Sequence, residues 1–573
     1  MEHVLETYKG LFSIETFTKI FKKNIDDFIR NESLDPRENE LARQIDLYKK
    51  RSINGDLKSR ELFLNYLKTK LLTNINLFEV ENGKLLEDNC IVEDIQFTEE
   101  MANWIIPFDD PDKLSVRDKF EILLNKYKDI NEQGYDRAFS NLKNKYSYKK
   151  SILGENQFLN SWNEYTSEDI ERFYKQENIH LEFKEKIDII TQRLYSEIWG
   201  LGLIDQLAYS DVNEVGISNN GKYIYVWDQD KIRLSFLQLT EQETKIIQDR
   251  ATSFDRKKGQ LDTNNPEINC DRADQARVTA LMNEYSSARV LCVRVFNKKK
   301  AAFRDIVKDY KLQILTQVLL KTGQKISLQG EMGVGKTTTM QTFIEILDDS
   351  LHIGTIEDYF EQHNRLKYEN KRVVELQVTD KKNLLDAAAT LFRLSVDVAS
   401  VGEVREGEAL LSFVQLAQAL PGSALFTNHV ASPEDSIPRW SNLLISTGKY
   451  ATAKAAVADL VNYINIIYQH EIINGQRVIS KVVEVVPLIN KSSDVDLNMN
   501  MSLEELRKLA YIQQIQENPA YMYRLNPLLE YENGEYRFKN YPSSKLLDKA
   551  SKNEETANYM KGLLELMREE LGD

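Results

Sequence analysis

The sequence predicts an α/β protein built on a parallel sheet that is covered by helices. The first observation is an alternation of short apolar strands with amphipathic helices between about residues 306 and 490, which is typical of this class. The second is the glycine-rich stretch GEMGVGKTTT, which follows the apolar strand KISLQ. The third is a set of acidic residues at the ends of later strands, where open α/β sheets bind ligands.

Composition and charge are those of a globular protein from a reducing compartment. Hydrophobic residues make up 42% and charged residues 29% of the 573 residues, so sizeable cores are expected. The net charge of −14 argues against broad nucleic-acid binding. The three cysteines form no C-x-x-C pair, and we therefore expect neither a disulfide framework nor a structural zinc site.

Targeting signals are not evident in the sequence. The start, MEHVLETYKGLFSIETF, lacks a basic region followed by an apolar core, so we expect no secretory signal. No apolar run approaches the roughly 20 residues that span a bilayer. These features predict a cytoplasmic protein without a transmembrane segment.

Changes in composition and in the spacing of apolar residues along the chain predict four segments. Residues 1–190 place apolar residues at helical spacing and carry no catalytic motif, which indicates a helical extension used for docking or packing. Residues 191–300 contain short β-branched and aromatic runs between turns, which favours a small α+β domain. Residues 306–490 form the α/β domain, and residues 491–573 are expected to be mostly helical, with a hairpin around YENGEYRFKNY.

The glycine-rich stretch fits the pattern of a phosphate loop between a strand and a helix. Glycines let successive N–H groups point at phosphate oxygens, at the positive end of the following helix. The lysine can reach the β- and γ-phosphates, and the next threonine can ligate Mg²⁺. We therefore expect a bound nucleoside triphosphate, contacted by Gly330, Glu331, Met332, Gly333, Val334, Gly335, Lys336, Thr337 and Thr338.

Two later strands deliver carboxylates. The stretch LHIGTIEDYFEQ ends in Glu357 and Asp358, one of which could orient or deprotonate a water molecule that attacks the γ-phosphate. The alternative is a solvated turn. In VDVASVGEVREGEAL, Gly402 lets Glu403 approach the nucleotide, where an acidic group holds Mg²⁺ through water or positions the lytic water. Arg405 follows and can reach a phosphate or a neighbouring subunit.

A further strand, SALFT, delivers Asn428 and His429 to the same edge of the sheet. A lone histidine is more often structural than catalytic. At this position it either packs or senses the γ-phosphate, and the residues alone leave both interpretations open.

The four elements in this order resemble the secretion and pilus "traffic" ATPases of the type II/type IV secretion superfamily. The phosphate loop GEMGVGKTT is followed by an aspartate box, TIEDYFE, a second acidic strand, VGEVREGEAL, and a histidine box, TNHVAS. The segments GLGLIDQLAYSDVNEVGISNNGKYIYV, DQARVTALM and RVLCVRVF resemble the N-terminal domain of that family. The resemblance covers roughly residues 195 to 450. It is closest to the tight-adherence pilus and type IV secretion branches, because the tetracysteine motif of type II secretion ATPases is absent.

This resemblance implies a RecA-like P-loop NTPase domain preceded by a PAS-like α+β domain. It also implies a homohexamer at the inner face of the cell membrane, which hydrolyses ATP with Mg²⁺ and works with an inner-membrane platform protein. Rotation of the N-terminal domain against the ATPase domain would drive pilus assembly or substrate export.

Residue roles follow from the resemblance by position. Thr337 and Glu403 are implied as Mg²⁺ ligands, and Glu357 and Glu403 as the acidic catalytic pair. Three arginines are implied to contact the nucleotide. Arg277 and Arg294 match γ-phosphate sensors of the N-terminal domain, while Arg393 matches an arginine ahead of the second acidic strand.

Two other functions remain open on the sequence. A DNA translocase or helicase, as in conjugative transfer, would show ATPase activity that DNA stimulates and high salt suppresses. The acidic net charge and the lack of a basic-aromatic channel weigh against it. A scaffold that binds nucleotide without hydrolysing it would show no ATP turnover, and the intact acidic residues argue against it.

Overall fold

A computed structural model gives the fold of this chain. The chain divides into two compact units, Met1–Asn297 and Lys298–Asp573. The structure describes residues 9–31, 33–78, 80–81, 84–85, 91–129, 136–146, 149–152, 161–228, 230–253, 260–295, 301–379, 381–488, 507 and 518–572. The α/β class predicted from the sequence is confirmed, while the four predicted segment boundaries stay predictions.

The first unit begins with a region that is mainly helical, as the sequence predicts. Apolar residues on one face of each helix are buried, and polar caps begin several helices; Ser115 and Thr166, for example, each form a capping box with the residue three positions later. The helices are α1 (Ile14–Arg30), α2 (Pro36–Ile53), α3 (Leu57–Leu72), α4 (Glu99–Ile105), α5 (Val116–Lys126), α6 (Ala138–Lys145), α7 (Ser167–Glu177), α8 (Phe183–Ile198), α9 (Asp205–Ala208) and α10 (Glu241–Thr252).

The N-terminal region also contributes strands that the sequence did not predict. These are β1 (Asn74–Phe78), β2 (Val80–Glu81), β3 (Lys84–Leu85), β4 (Ile91–Gln96), β5 (Lys149–Ile152) and β6 (Ser161–Tyr165). Strands β5 and β6 are short and polar, without clear alternation. They form because β6 pairs in parallel with a strand from beyond residue 190, and that tertiary contact is not visible in local sequence.

The sheet of the first unit has eight strands in the order β10-β11-β12-β7-β8-β9-β6-β5. Buried and partly exposed residues alternate along β10, β11 and β12, as expected for a sheet with one face on the core. The remaining strands are β7 (Glu214–Ser218), β8 (Tyr223–Asp228), β9 (Asp230–Leu234), β10 (Glu267–Asp271), β11 (Arg277–Leu281) and β12 (Val290–Arg294).

The second unit is a nine-stranded sheet in the order β15-β14-β16-β17-β13-β18-β19-β20-β21. The first six strands in this order, from β15 to β18, run parallel to one another. The last three, β19, β20 and β21, are joined by antiparallel pairing. The strands are β13 (Lys325–Gly330), β14 (His352–Glu357), β15 (Arg372–Gln377), β16 (Val398–Val401), β17 (Ala424–Asn428), β18 (Ile466–Ile473), β19 (Gln476–Pro487), β20 (Tyr523–Glu532) and β21 (Glu535–Phe538).

Helices cover this sheet, as the alternation in the sequence predicts. The central strands β13, β16 and β17 are buried along their whole length, which requires cover on both faces. The helices are α11 (Phe303–Ile306), α12 (Tyr310–Lys321), α13 (Lys336–Glu345), α14 (Asn364–Lys367), α15 (Leu384–Arg393), α16 (Gly407–Ala419), α17 (Pro433–Ser446), α18 (Ala453–Tyr463), α19 (Ser544–Ala550) and α20 (Glu554–Leu571).

The C-terminal tail is an integral part of the second unit. The predicted hairpin is present as β20 and β21, and β20 extends the central sheet by pairing with β19. Helix α20 buries Met560, Leu563 and Met567 in the same apolar cluster as Leu315 and Leu319 of α12. Among the described helices, none combines the length and the apolar character needed to cross a bilayer.

Candidate functional site

The phosphate loop connects the carboxyl end of β13 to the first turn of α13. Gly330, Gly333 and Gly335 have φ angles of 139°, 81° and 97°, a region in which residues with a Cβ are strained. A Cβ on Gly330 would also lie 2.3 Å from the carbonyl oxygen of His470 on β18. The three glycines therefore allow the curvature of the loop, and Gly330 also allows close packing against the neighbouring strand.

Lys336 is buried and turned onto its own loop. Its Nζ donates to the carbonyl oxygens of Gly330 at 2.8 Å and Glu331 at 2.7 Å. Burial lowers the pKa of Lys336 to about 8, because an ammonium loses hydration there. The other loop residues vary in exposure: Val334 is buried, Thr337 and Thr338 are half-buried, and Met332 is exposed.

Lys336, His429 and Glu403 form a chain of contacts, the triad. Lys336 Nζ lies 3.2 Å from His429 Nδ1, and His429 Nε2 lies 2.7 Å from Glu403 Oε1. An ammonium only donates hydrogen bonds and a carboxylate only accepts them. A neutral imidazole with its proton on Nε2 satisfies both neighbours, and burial followed by the charge of Lys336 lowers the pKa of His429 accordingly.

Glu403 is also held by Arg405. The guanidinium donates to both carboxylate oxygens, from Nε and from a terminal nitrogen, each at 2.7 Å. Burial raises the pKa of Glu403, but the contacts with Arg405 outweigh it and, with His429 and Lys336, hold that pKa below its usual range. Glu403 is therefore an ionised carboxylate in a fixed orientation. The sequence predicted Arg405 near this edge but not its pairing with Glu403.

Glu357 lies at the end of β14 and is only 4% exposed. Its carboxyl oxygens accept long hydrogen bonds from the N–H groups of Glu361 and Gln362, at 3.2 to 3.4 Å. Burial, with the nearby charges of Glu361 and Glu375, raises the pKa of Glu357 to about 8. A Cβ on Gly402 would come within 3.0 Å of Glu357 Cγ, so that glycine brings the end of β16 against this carboxyl group. Asp358 is exposed in the next turn.

Arg393 is not brought to this edge. It is the last residue of α15 and is exposed, and the chain then enters β16 at Val398. Strands β13, β16 and β17 are parallel, so the amino end of β16 faces away from the phosphate loop. Within one chain, Arg393 therefore lies at the edge of the sheet opposite Lys336.

Arg277 and Arg294 belong to the first unit and lie side by side. They are register partners on β11 and β12, so their side chains share one face of the sheet. Asp271 on β10 is in register with Arg277, and Glu214 on β7 is in register with Arg294. Arg294 donates to Glu214 at 3.1 and 3.2 Å. Two guanidinium groups are thus flanked by one carboxylate on each side.

Two residues at the loop were missed in the sequence. Arg477, near the start of β19, donates through Nε to the carbonyl oxygen of Gly333 at 2.9 Å. His470 is fully buried behind the loop, with Nε2 3.0 Å from Thr339 Oγ1. The Asn474-Gly475 turn signals a hairpin, but that signal does not reveal that the hairpin pairs with β13.

Residues 243–485 match a protein family described as "Type II/IV secretion system protein". The family resemblance predicted from the motifs is therefore confirmed over this part of the chain. Residues 1–242 and 486–573 lie outside the match. No curated protein matches the sequence.

Solved structures of secretion and pilus ATPases are also similar to this chain. The VirB11 ATPase of Brucella suis is 14% identical, covering 48% of this chain and 89% of its own, with a TM-score of 0.27. The pilus retraction motor PilT with bound ADP is 20% identical, covering 53% and 86%, with a TM-score of 0.38. The ATPase DotB of Yersinia pseudotuberculosis is 15% identical, covering 63% and 92%, with a TM-score of 0.39.

Proposed function

We propose that this chain, which through residues 243–485 belongs to the type II/IV secretion system protein family, is an ATPase motor that powers pilus assembly or macromolecule export. The observation that carries the proposal is the triad. It links the lysine of the phosphate loop to an ionised carboxylate through one histidine. Through this link, a nucleotide that binds Lys336 changes the hydrogen bonding of the catalytic carboxylate.

ATP binding begins with a change of partners at Lys336. Its ammonium now rests on the carbonyl oxygens of Gly330 and Glu331, and phosphate oxygens are stronger acceptors than neutral carbonyls. The loop N–H groups and the first turn of α13 favour the same anion. When Lys336 moves to the phosphates, its contact with His429 changes, and so does the hydrogen bond that His429 donates to Glu403.

The residues present fit a Mg²⁺ ion that arrives with the nucleotide. Thr337 offers a hydroxyl in the first turn of α13, and Glu403 offers an ionised carboxylate. Both are the hard oxygen donors that Mg²⁺ prefers, together with phosphate oxygens and water. The ion would neutralise charge on the β- and γ-phosphates.

The two carboxyl groups suit different roles. Glu403 is ionised and held in orientation by Arg405 and His429, which suits a group that orients the attacking water. Glu357 has a pKa of about 8, which is near the value that suits proton transfer at neutral pH. We assign the water-orienting role to Glu403 and a supporting acid–base role to Glu357.

The remaining arginines point to a motor made of several copies. Arg277 and Arg294 stand together on β11 and β12, and a paired guanidinium surface suits a γ-phosphate. Arg393 lies opposite its own phosphate loop, so we assign it to the nucleotide of a neighbouring copy in a hexameric ring. In this proposal the ring works in the cytoplasm, against an inner-membrane platform protein.

Purified full-length protein tests the proposal directly. Lys336→Ala should weaken ATP binding, while Glu403→Gln should keep binding and lower the hydrolysis rate at least 100-fold. The exposed Glu565 on α20 provides the matched control, and Glu565→Gln should hydrolyse ATP at the wild-type rate. Wild-type hydrolysis by Glu403→Gln would overturn the assignment of Glu403. Absence of ATP turnover in the wild type, or turnover that requires DNA, would overturn the proposed function.

A further inference from the structure

A cavity of about 360 Å³ lies at the amino ends of the parallel strands in the second unit. Three lysines line it: Lys325, the first residue of β13, and Lys545 and Lys549 of α19. The phosphate loop begins at Gly330, the last residue of the same strand, so this cavity, the lysine pocket, is at the opposite edge of the sheet. Its volume is in the range of small-molecule sites.

Lys325 is a buried cation held by carbonyl groups. Lys325 is only 6% exposed. Its Nζ donates to the carbonyl oxygens of Leu420, at 2.8 Å, and of Gly422. These carbonyls follow the C-terminus of α16, whose dipole offsets part of the charge. Burial and the neighbouring Lys549 nevertheless lower the pKa of Lys325 to about 7.

Helix α19 adds two more positive charges. Lys549 Nζ donates to the carbonyl oxygen of Gly323 at 2.9 Å, and Lys545 lies one helical turn earlier on the same helix. Like charges at this spacing repel each other. Partial burial lowers the pKa of both lysines, although the nearby Glu484 raises that of Lys545. Lys545 further lowers the pKa of Lys549, and Lys549 that of Lys325. The lysines of the pocket thus repel one another in the order Lys545, Lys549 and Lys325.

The acidic residue of the pocket does not balance these charges. Among the described residues that line the pocket, Glu484 is the one carboxylate. Its oxygens are engaged by Asn526 Nδ2 at 3.0 Å, by the Ser543 N–H at 2.9 Å and by the Ser543 hydroxyl. Glu484 therefore anchors the start of α19, and the described lining holds three lysines against this one carboxylate.

We propose that the lysine pocket binds a phosphate group, either as free phosphate or as a small phosphomonoester. The lysines of the pocket attract a phosphate anion, and the side chains of Gln324, Asn462 and Asn465 on the lining supply further hydrogen-bonding groups. Because α19 lies outside residues 243–485, the site combines the family's sheet with this chain's own tail. It is separate from the phosphate loop, and its occupancy does not depend on ATP hydrolysis.

Calorimetric titration of the full chain with inorganic phosphate tests the proposal. The titration uses a Lys336→Ala background, because the phosphate loop would otherwise bind phosphate as well. In that background we compare Lys545→Gln with Lys549→Gln, singly and together, and the matched control is Lys561→Gln, which removes the same charge from an exposed position on α20. Melting temperatures without phosphate show that each variant is folded.

The expected result is that the Lys561→Gln chain binds phosphate and that the double variant binds it at least tenfold more weakly. Single variants should show intermediate losses. Tighter binding of glycerol 3-phosphate than of inorganic phosphate would identify the ligand as a phosphomonoester, and the reverse order would identify free phosphate. Equal phosphate affinity in the double variant and the control would overturn the proposal. So would the absence of binding at millimolar phosphate in every chain; the lysines would then serve only to cap helix C-termini.

Discussion

His429 Nε2 lies 2.7 Å from Glu403 Oε1, while its other ring nitrogen faces Lys336. The histidine thus receives a hydrogen bond from the phosphate loop on one side and donates one to the ionised carboxylate on the other. His429 is the histidine of the histidine box TNHVAS, and its imidazole is central to the site. His429 therefore connects the phosphate loop to the carboxylate that follows β16.

The first prediction concerns His429. His429→Ala should lower the rate of ATP hydrolysis roughly tenfold, because Glu403 loses the donor that helps to fix its orientation. The loss should be smaller than that in Glu403→Gln, since Arg405 still holds both carboxylate oxygens. Steady-state ATPase kinetics measure both rates. A rate for His429→Ala equal to the wild type would show that the triad does not contribute to hydrolysis.

The second prediction concerns the stability contributed by Glu357. The folded pKa of about 8 is above that of the unfolded chain, so the folded state holds the proton more tightly. As pH rises from about 4.5 to 8, the unfolded chain loses this proton while the folded chain keeps it, so the protonated carboxyl group costs progressively more stability. Glu357→Gln removes that cost, and the variant should be more stable than the wild type by on the order of 2 kcal/mol at pH 7.5.

Urea unfolding of the full chain at pH 5 and pH 7.5 measures this effect, with hydrogen exchange identifying the transition that contains β14. Glu369→Gln, at an exposed position, is the matched control and should change stability little at either pH. A gain for Glu357→Gln that is the same at both pH values would contradict the prediction, because it would not arise from ionisation.

The third prediction concerns the paired arginines of the first unit. Arg277→Gln and Arg294→Gln should each lower the hydrolysis rate at least tenfold, because an arginine at the γ-phosphate stabilises charge that develops during transfer. The ATP dissociation constant should change by less than about threefold, which fluorescent-nucleotide binding would measure. Arg43→Gln, at an exposed position on α2, should leave both quantities unchanged. Weakened binding with an unchanged rate would argue for a ground-state role instead.

The fourth prediction concerns Arg393 and the ring. Arg393→Ala and Lys336→Ala chains should each be nearly inactive alone. When they are mixed before assembly, activity should return in part, because an intact Arg393 of one copy then faces an intact phosphate loop of another. ATPase assays across mixing ratios measure the recovery. If the mixtures are no more active than the separate variants, Arg393 does not act between copies.

The parallel order of the strands explains why much of the site could be predicted. Glu357 ends such a strand, and Glu403 and His429 each follow one, all of them parallel to β13. The carboxyl ends of such strands meet at one edge, so spacing along the chain was enough to place these residues near the phosphate loop. The same rule places Arg393 elsewhere, since it precedes its strand instead of following it.

Contacts between distant segments could not be predicted in this way. Arg477 reaches the phosphate loop because β18 pairs with β13, and β6 joins the sheet of the first unit because β9 offers it an edge. The local sequence of neither segment predicts which strand it pairs with. Which strands pair depends on the free energy of the whole sheet and not on the sequence of one strand.

The sequence by itself determined the class of fold, the phosphate loop and the identity of the acidic residues, because these depend on periodicity and on spacing within short segments. Tertiary structure decided the state of each group. Burial raises the pKa of Glu357, ionic contacts lower that of Glu403, and two neighbours fix the proton of His429. Protonation depends on desolvation and on charges brought close by folding, and neither quantity is encoded in a motif.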